Sequence, residues 1–132
     1  MYLDYIKERY TAADFAPHSM EQIAEHFEDI QRLSGAQILK TKAGFVTYKI
    51  SGDSVVIFDM YVKPEFRGKS EAWKLHDVLV EAARRLGKTV AITFSSLDGK
   101  NHEAGLEAIK AAEFVPTNYK IGNGTSVFIK GI

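Results

Sequence analysis

Cysteine is absent from this 132-residue chain. Its absence excludes a disulfide framework, a thiolate zinc site and a cysteine nucleophile. It also suits a reducing compartment, and a cytoplasmic protein is expected. Neither sign of charge predominates, since 17 Lys and Arg balance 17 Asp and Glu. A protein held by duplex phosphates needs a cationic surplus, so no nucleic-acid partner is expected. No apolar run approaches the roughly 20 residues that span a bilayer. The opening MYLDYIKERY is too charged for a secretory signal, so no membrane partner is expected either. Proline is scarce: Pro17, Pro64 and Pro116 each stand where an element should begin or end. Repeats, low-complexity tracts and Pro/Gly-rich linkers are lacking, which points to a single domain over residues 1–132.

The residues present describe an ordinary globular chain, 45% apolar and 26% charged. Residues 1–18 suit a short helix or a strand equally. Ser19 is placed to cap a helix carrying Ile23, Phe27, Ile30 and Leu33, with Gly35 as its stop. Three strand-like runs follow, at 36–41, 45–50 and 55–62, separated by turns at Lys42-Ala43-Gly44 and Gly52-Asp53. The third, VVIFDMYV, is apolar on both faces apart from Asp59, so it should be a central strand covered on both sides. Ala72, Leu75, Leu79, Ala82 and Leu86 then form a helical stripe that Gly87 ends, and Thr89 to Phe94 is another strand. Strand, helix and strand at this spacing predict a βαβ unit with parallel strands. Asn101 can cap a further helix with Leu106, Ile109 and Ala112 inward. Runs at 115–120 and 126–130, joined by Gly122-Asn123-Gly124, close the chain as a hairpin.

The segment between the central strand and its helix carries the most chemistry. A helix start offers unpaired N–H groups and the positive end of a dipole, a natural anion site. Small residues at Gly68 and Ser70 admit a phosphate to the backbone, and Arg67 and Lys69 add positive charge. The same residues also suit a solvated loop in which Ser70 is an N-cap.

Strand, proline, basic loop and amphipathic helix together resemble the core motif of the GNAT N-acetyltransferase family. The family pattern is of the form Val-x-Pro-x-Tyr/Phe-Arg-Gly-Lys-Gly-x-Gly/Ala, and Val62, Pro64, Phe66, Arg67, Gly68, Lys69 and Ala72 match it. Its Gln/Arg-x-x-Gly-x-Gly/Ala element falls on Arg67, Ser70 and Ala72. Asn101 with Ala104 resembles the family's Asn-x-x-Ala, and Ala112-Glu113-Phe114 resembles the Gly-Phe before its final hairpin. The resemblance follows the element order over 36–130 and is specific over about 55–87. It implies an α/β (α+β) GNAT-like, acyl-CoA N-acyltransferase fold: a mixed, mainly antiparallel sheet with a central βαβ unit and flanking helices. It further implies acetyl-CoA as co-substrate and no metal. The pyrophosphate would lie on the amides of Gly68, Lys69, Ser70, Glu71 and Ala72, with the side chains of Arg67 and Lys69 and a contact from Asn101. The pantetheine arm would pair with the backbone of Met60, Tyr61 and Val62.

Three departures stand out. Ser70 replaces the middle glycine, Glu71 brings negative charge into the first turn, and Ala108 or Ile109 occupies the place of the family's tyrosine acid. The family's first strand and first helix are not both evident. Acetyl transfer to an amine needs a polarised thioester, a neutral nucleophile and a proton route. Asp59, the only charge inside an apolar strand, is the candidate base, its pKa raised by burial, or else it partners a basic neighbour. Tyr119 is the candidate acid, or half-buried packing. His18, His26, His76 and His102 show no metal or triad spacing and are expected at the surface. Trp73 is expected to pack or lie on the surface rather than stack on adenine. The acceptor is an amine on a small molecule or a protein, and a homodimer is compatible with the sequence. Two alternatives remain: a GNAT-shaped CoA-binding or structural module without turnover, and an unrelated α+β module that binds through its sheet.

Overall fold

The central strand decides the architecture. In a computed structural model that describes residues 1–68, 70–95, 102–122 and 124–132, six strands form one sheet. They are β1 (Gln37–Thr41), β2 (Gly44–Ser51), β3 (Ser54–Val62), β4 (Val90–Ser95), β5 (Val115–Ile121) and β6 (Thr125–Gly131). Their order is β1-β2-β3-β4-β6-β5. β3 and β4 pair in parallel, and every other neighbouring pair is antiparallel. The expected strands, the βαβ unit and the closing hairpin are all present, each within a residue or so at its ends.

Helix α4 (Ser70–Arg85) makes the crossover from β3 to β4. Its buried positions are Leu75, His76, Leu79, Val80 and Ala83, spaced three and four apart. The expected stripe through Ala82 and Leu86 is therefore rotated: Ala82 is exposed and Leu86 is 65% exposed. Gly87, at φ +79°, ends the helix. The Lys88 N–H bonds the Ala83 carbonyl and the Gly87 N–H that of Arg84, a Schellman closure. Helix α5 (His102–Ala111) closes in the same way, but with Glu113 in the left-handed conformation.

Residues 1–36 are helical throughout their regular structure. They form α1 (Tyr2–Arg9), a 3₁₀ turn at Ala12–Asp14, α2 (Met20–Glu25) and α3 (Phe27–Leu33). Ser19 caps α2 as expected, accepting the Gln22 N–H while Gln22 returns a bond to the Ser19 N–H. The single helix expected from Ser19 to Gly35 is broken at His26, where the backbone leaves the helical region. The break re-aims the second half. Phe27 turns into the core, whereas Ile30 is 40% and Leu33 88% exposed.

Two cores result, one on each face of the sheet. Under α4 and α5 lie Val46, Val55, Ile57, Leu75, Leu79, Ala83, Ala91, Phe114 and Phe128. Under α1 to α3 lies an aromatic cluster of Tyr5, Phe27, Phe45 and Tyr61 with Ile6. Phe45 sits at its centre, fully buried, with ring contacts to Tyr2, Tyr5, Phe27 and Tyr61. We expect Phe45→Ala to lower the unfolding free energy by about 3–5 kcal/mol in urea titrations. Leu33→Ala, at an exposed position, should change it by no more than about 0.5 kcal/mol.

Candidate active site

The sheet opens at one place. Parallel pairing of β3 with β4 runs from Ser54↔Val90 to Ile57↔Thr93 and stops there. The Thr93 hydroxyl donates to the Ile57 carbonyl at 3.2 Å and marks the last tie. β3 continues to Val62 without a β4 partner, while β2 still pairs with it up to Gly44↔Val62. Phe58 and Phe94 stack across the parting, 6.2 Å between ring centres. Among the described residues no strand pairs with β3 from Met60 to Val62 on its β4 side, where the Val62 carbonyl instead accepts from Arg67 Nε, and such an edge is a place where an amide-bearing arm can pair. Tyr61 is buried in the aromatic core and Met60 packs on the other core, so among the described side chains it is Arg67 that reaches this edge.

A bulge sets what stands at the parting. Tyr48 pairs with Ile57 and Thr47 with Asp59, so Phe58 is an extra residue in β3. The alternation of faces therefore shifts by one. Ile57 points into the core under α4, and Asp59 points to the α1 side. There its two carboxylate oxygens accept from the Tyr5 hydroxyl at 2.5 Å and the Thr47 hydroxyl at 3.1 Å. Thr47 Oγ1 in turn accepts the Asp59 N–H at 3.0 Å. Burial first, then the Asp59 carboxylate, hold the Tyr5 hydroxyl far above the ordinary tyrosine range, so it remains a donor.

The loop after β3 runs through a 3₁₀ turn at Pro64–Phe66 and Gly68 into α4. Gly68 adopts φ +75°, and among the described residues other than its chain neighbours nothing lies within 4 Å of where a Cβ would stand. A left-handed backbone and clear space are what close approach of an anion requires. Arg67 is anchored on three sides. Its Nε donates to the Val62 carbonyl at 2.8 Å, its Nη2 reaches both Glu8 oxygens at 2.7 and 2.9 Å, and its guanidinium lies 5.6 Å from the Tyr61 ring centre. Lys69 and Asn101 lie outside the described residues, as do the side chains of Ser70, Glu71 and Ala72, whose helical backbone is described.

Other expectations fare differently. Tyr119 is on the outermost strand, 67% exposed rather than half-buried. Three strand spacings separate β5 from β3, about 14 Å, so the sheet does not bring Tyr119 to Asp59. His18 and His26 are exposed as expected, and His102 falls among side chains outside the described residues. His76 is a correction: it is only 7% exposed, because the buried face of α4 passes through it. Trp73 is 45% exposed. Among the described residues no three His, Asp or Glu side chains are grouped as metal ligands, and no helix is long and apolar enough to cross a membrane. Sequence reasoning missed Tyr5, Glu8 and Thr47. The available signal was YLDYIKER taken as a helix, which puts Tyr5 and Glu8 on one face.

A mixed sheet that parts beside a glycine-containing turn at a helix start defines the acyl-CoA N-acyltransferase class of fold. The sequence matches the Acetyltransferase (GNAT) family over residues 3–104, and the chain belongs to that family. Solved structures agree on the fold. PaiA N-acetyltransferase from Thermoplasma acidophilum, in complex with coenzyme A, superposes with a TM-score of 0.63 at 15% identity, covering 92% of this chain and 82% of that one. An acetyltransferase from Streptococcus agalactiae gives 0.63 at 13% identity, covering 99% and 87%. The ribosomal-protein-S18-alanine N-acetyltransferase from Escherichia coli gives 0.57 at 13% identity, covering 88% and 78%. No curated protein matches the sequence.

Tyr5→Phe would leave one oxygen of the half-buried Asp59 carboxylate without its donor, and should cost about 1–3 kcal/mol in chemical denaturation. His76 gives a pH dependence. Burial lowers its pKa below the ordinary 6.5, so the unfolded chain takes up the proton first. Stability should therefore hold above about pH 6.5 and fall as pH drops below it. His76→Gln should flatten that acid slope in urea midpoints measured between about pH 7.5 and 5.

Proposed function

We propose that the protein transfers an acetyl group from acetyl-CoA to an amine, with the parting of β3 from β4 as its active site. The observation that carries this reading is that β3 from Met60 to Val62, unpaired on its β4 side among the described residues, runs directly into the Gly68 turn and the start of α4. The pantetheine arm would add to the open edge. The pyrophosphate would lie on the amides from Gly68 to Ala72, with Lys69, Asn101 and Arg67 beside it. Glu8 is the carboxylate that a phosphate would replace on Arg67. Backbone N–H groups of the parted strand can polarise the thioester carbonyl. Positioning two reactants in one cleft supplies much of the remaining acceleration.

Asp59 is the base in this reading. It is the only carboxylate on β3, it stands at the bulge beside the opening, and Tyr5 and Thr47 fix its orientation. Its task is to accept the proton that the attacking amine loses, directly or through water. The acceptor is an amine of a small molecule or of a protein. The solved relatives include an enzyme titled for an alanine of a ribosomal protein, which keeps protein N-termini among the classes to test.

Calorimetry with CoA tests the cofactor site. Gly68→Val places a branched side chain in a left-handed backbone where the phosphate must approach, and should weaken CoA binding ~10-fold or more, about 1.4 kcal/mol. An unchanged affinity would remove the loop from the site. Thiol release over a panel of amines tests turnover. Asp59→Asn should lower kcat by ~100-fold or more while CoA affinity changes little.

A further inference from the structure

Between α4 and the end of α5 lies a second cleft of about 420 Å³. Trp73, His76 and Arg84 of α4 line it, with Ala112 and Glu113 at the end of α5 and Lys130 of β6. Lys130 is half-buried, and its partners are neutral. Its Nζ donates to His76 Nε2 at 3.0 Å and to the Ala112 carbonyl at 2.8 Å, and it lies 4.9 Å from the Phe114 ring centre. His76 Nδ1 faces Asp77 Oδ1 at 3.2 Å, so the tautomer consistent with both contacts carries its proton on Nδ1 and leaves Nε2 an acceptor. Among the described residues, no carboxylate forms an ion pair with Lys130.

A neutral amine has two N–H bonds and one lone pair. Two of the three hydrogens of the Lys130 ammonium have acceptors and the Phe114 ring face lies beside it, so it is loss of the third proton that frees a lone pair. We infer that Lys130 is a nucleophilic amine, open to acylation by a thioester that enters this cleft from solvent. The electrostatics agree. Burial is the largest influence on Lys130 and lowers its pKa, Glu113 and then Asp77 work against it, and Arg84 adds a smaller lowering. Glu81, also on the cleft wall, pairs with Arg84 and Arg85.

In the reaction, Nζ attacks the thioester carbonyl carbon. The N–C bond forms, the C–S bond breaks, and the sulfur leaves as thiolate. The proton lost by nitrogen passes to His76 Nε2 and on to the thiolate, giving an amide and a thiol. The cleft has room for an acetyl group, and the product amide no longer carries the charge of a lysine.

The test uses a small thioester without a nucleotide, S-acetyl-N-acetylcysteamine, at limiting concentration with the full chain. Peptide mass spectrometry follows each lysine over time. Lys40 is the internal standard, because Glu28 holds its ammonium at 3.4 Å and its pKa is raised. Lys130 should acetylate faster than Lys40 at neutral pH, because the amine with the lower pKa carries the larger neutral fraction. Its rate should reach half-maximum at lower pH than that of Lys40. His76→Phe keeps an aromatic ring and removes the acceptor, and should bring Lys130 down toward the rate of Lys40. The pH profile of the unmodified chain tests the inference even if that variant fails to fold. Equal rates for the two lysines, or coincident profiles, would overturn it. So would suppression of Lys130 labelling by excess CoA, which would assign the acetylation to the β3–β4 opening instead.

Discussion

One extra residue in β3 is the constraint on which the site depends. A strand without the Phe58 bulge would keep Asp59 on the same face as Ile57, inside the core under α4. Burying a carboxylate there without partners would be costly. The bulge instead delivers Asp59 to the face covered by α1, where Tyr5 and Thr47 receive it. It also restores the alternation beyond, so that Met60 joins the α4 core and Tyr61 the aromatic one. The same residue stands where β3 and β4 part. The position of the charge and the opening of the sheet thus have a common origin.

Helix α1 ties that arrangement to the loop. Tyr5 and Glu8, three residues apart, hold the bulge and the turn after β3 respectively. The Glu8–Arg67 pair is partly exposed, so its direct contribution to stability is small, about 0–1 kcal/mol. Its larger effect is geometric. Arg67 joins the end of β3 through the Val62 carbonyl to a helix from the beginning of the chain. The turn at Gly68 is therefore attached to a braced corner.

Much of this was legible in the sequence because it rests on local rules. Period-two runs and glycine turns gave the strands. The βαβ spacing gave the parallel pair, and Val62 to Ala72 gave the family and its loop. What was not legible depends on tertiary context. Alternation within VVIFDMYV cannot show an inserted residue, because the run is apolar on both faces and a one-residue shift leaves the pattern intact. The α4 stripe is misplaced because alanines at 72, 82 and 83 fit either of two adjacent faces, and lack of metal or triad spacing does not by itself put His76 at the surface. The helix expected from Ser19 breaks at His26 although the apolar spacing continues through it. The partners of Asp59 and Arg67 lie 54 and 59 residues away in the chain, beyond the reach of any local pattern.

The parallel joint between β3 and β4 is only four residue pairs long. On one side of it β1, β2 and β3 form a meander with two tight turns, and on the other β5 and β6 form a hairpin. Both groups can assemble from neighbours in sequence, at little loop-closure cost. The joint cannot, since it waits for α4 to be laid across the sheet. The protein's opening is in this sense the unfinished end of a long-range contact, a seam that the chain closes for four pairs and leaves unsewn for the rest of β3.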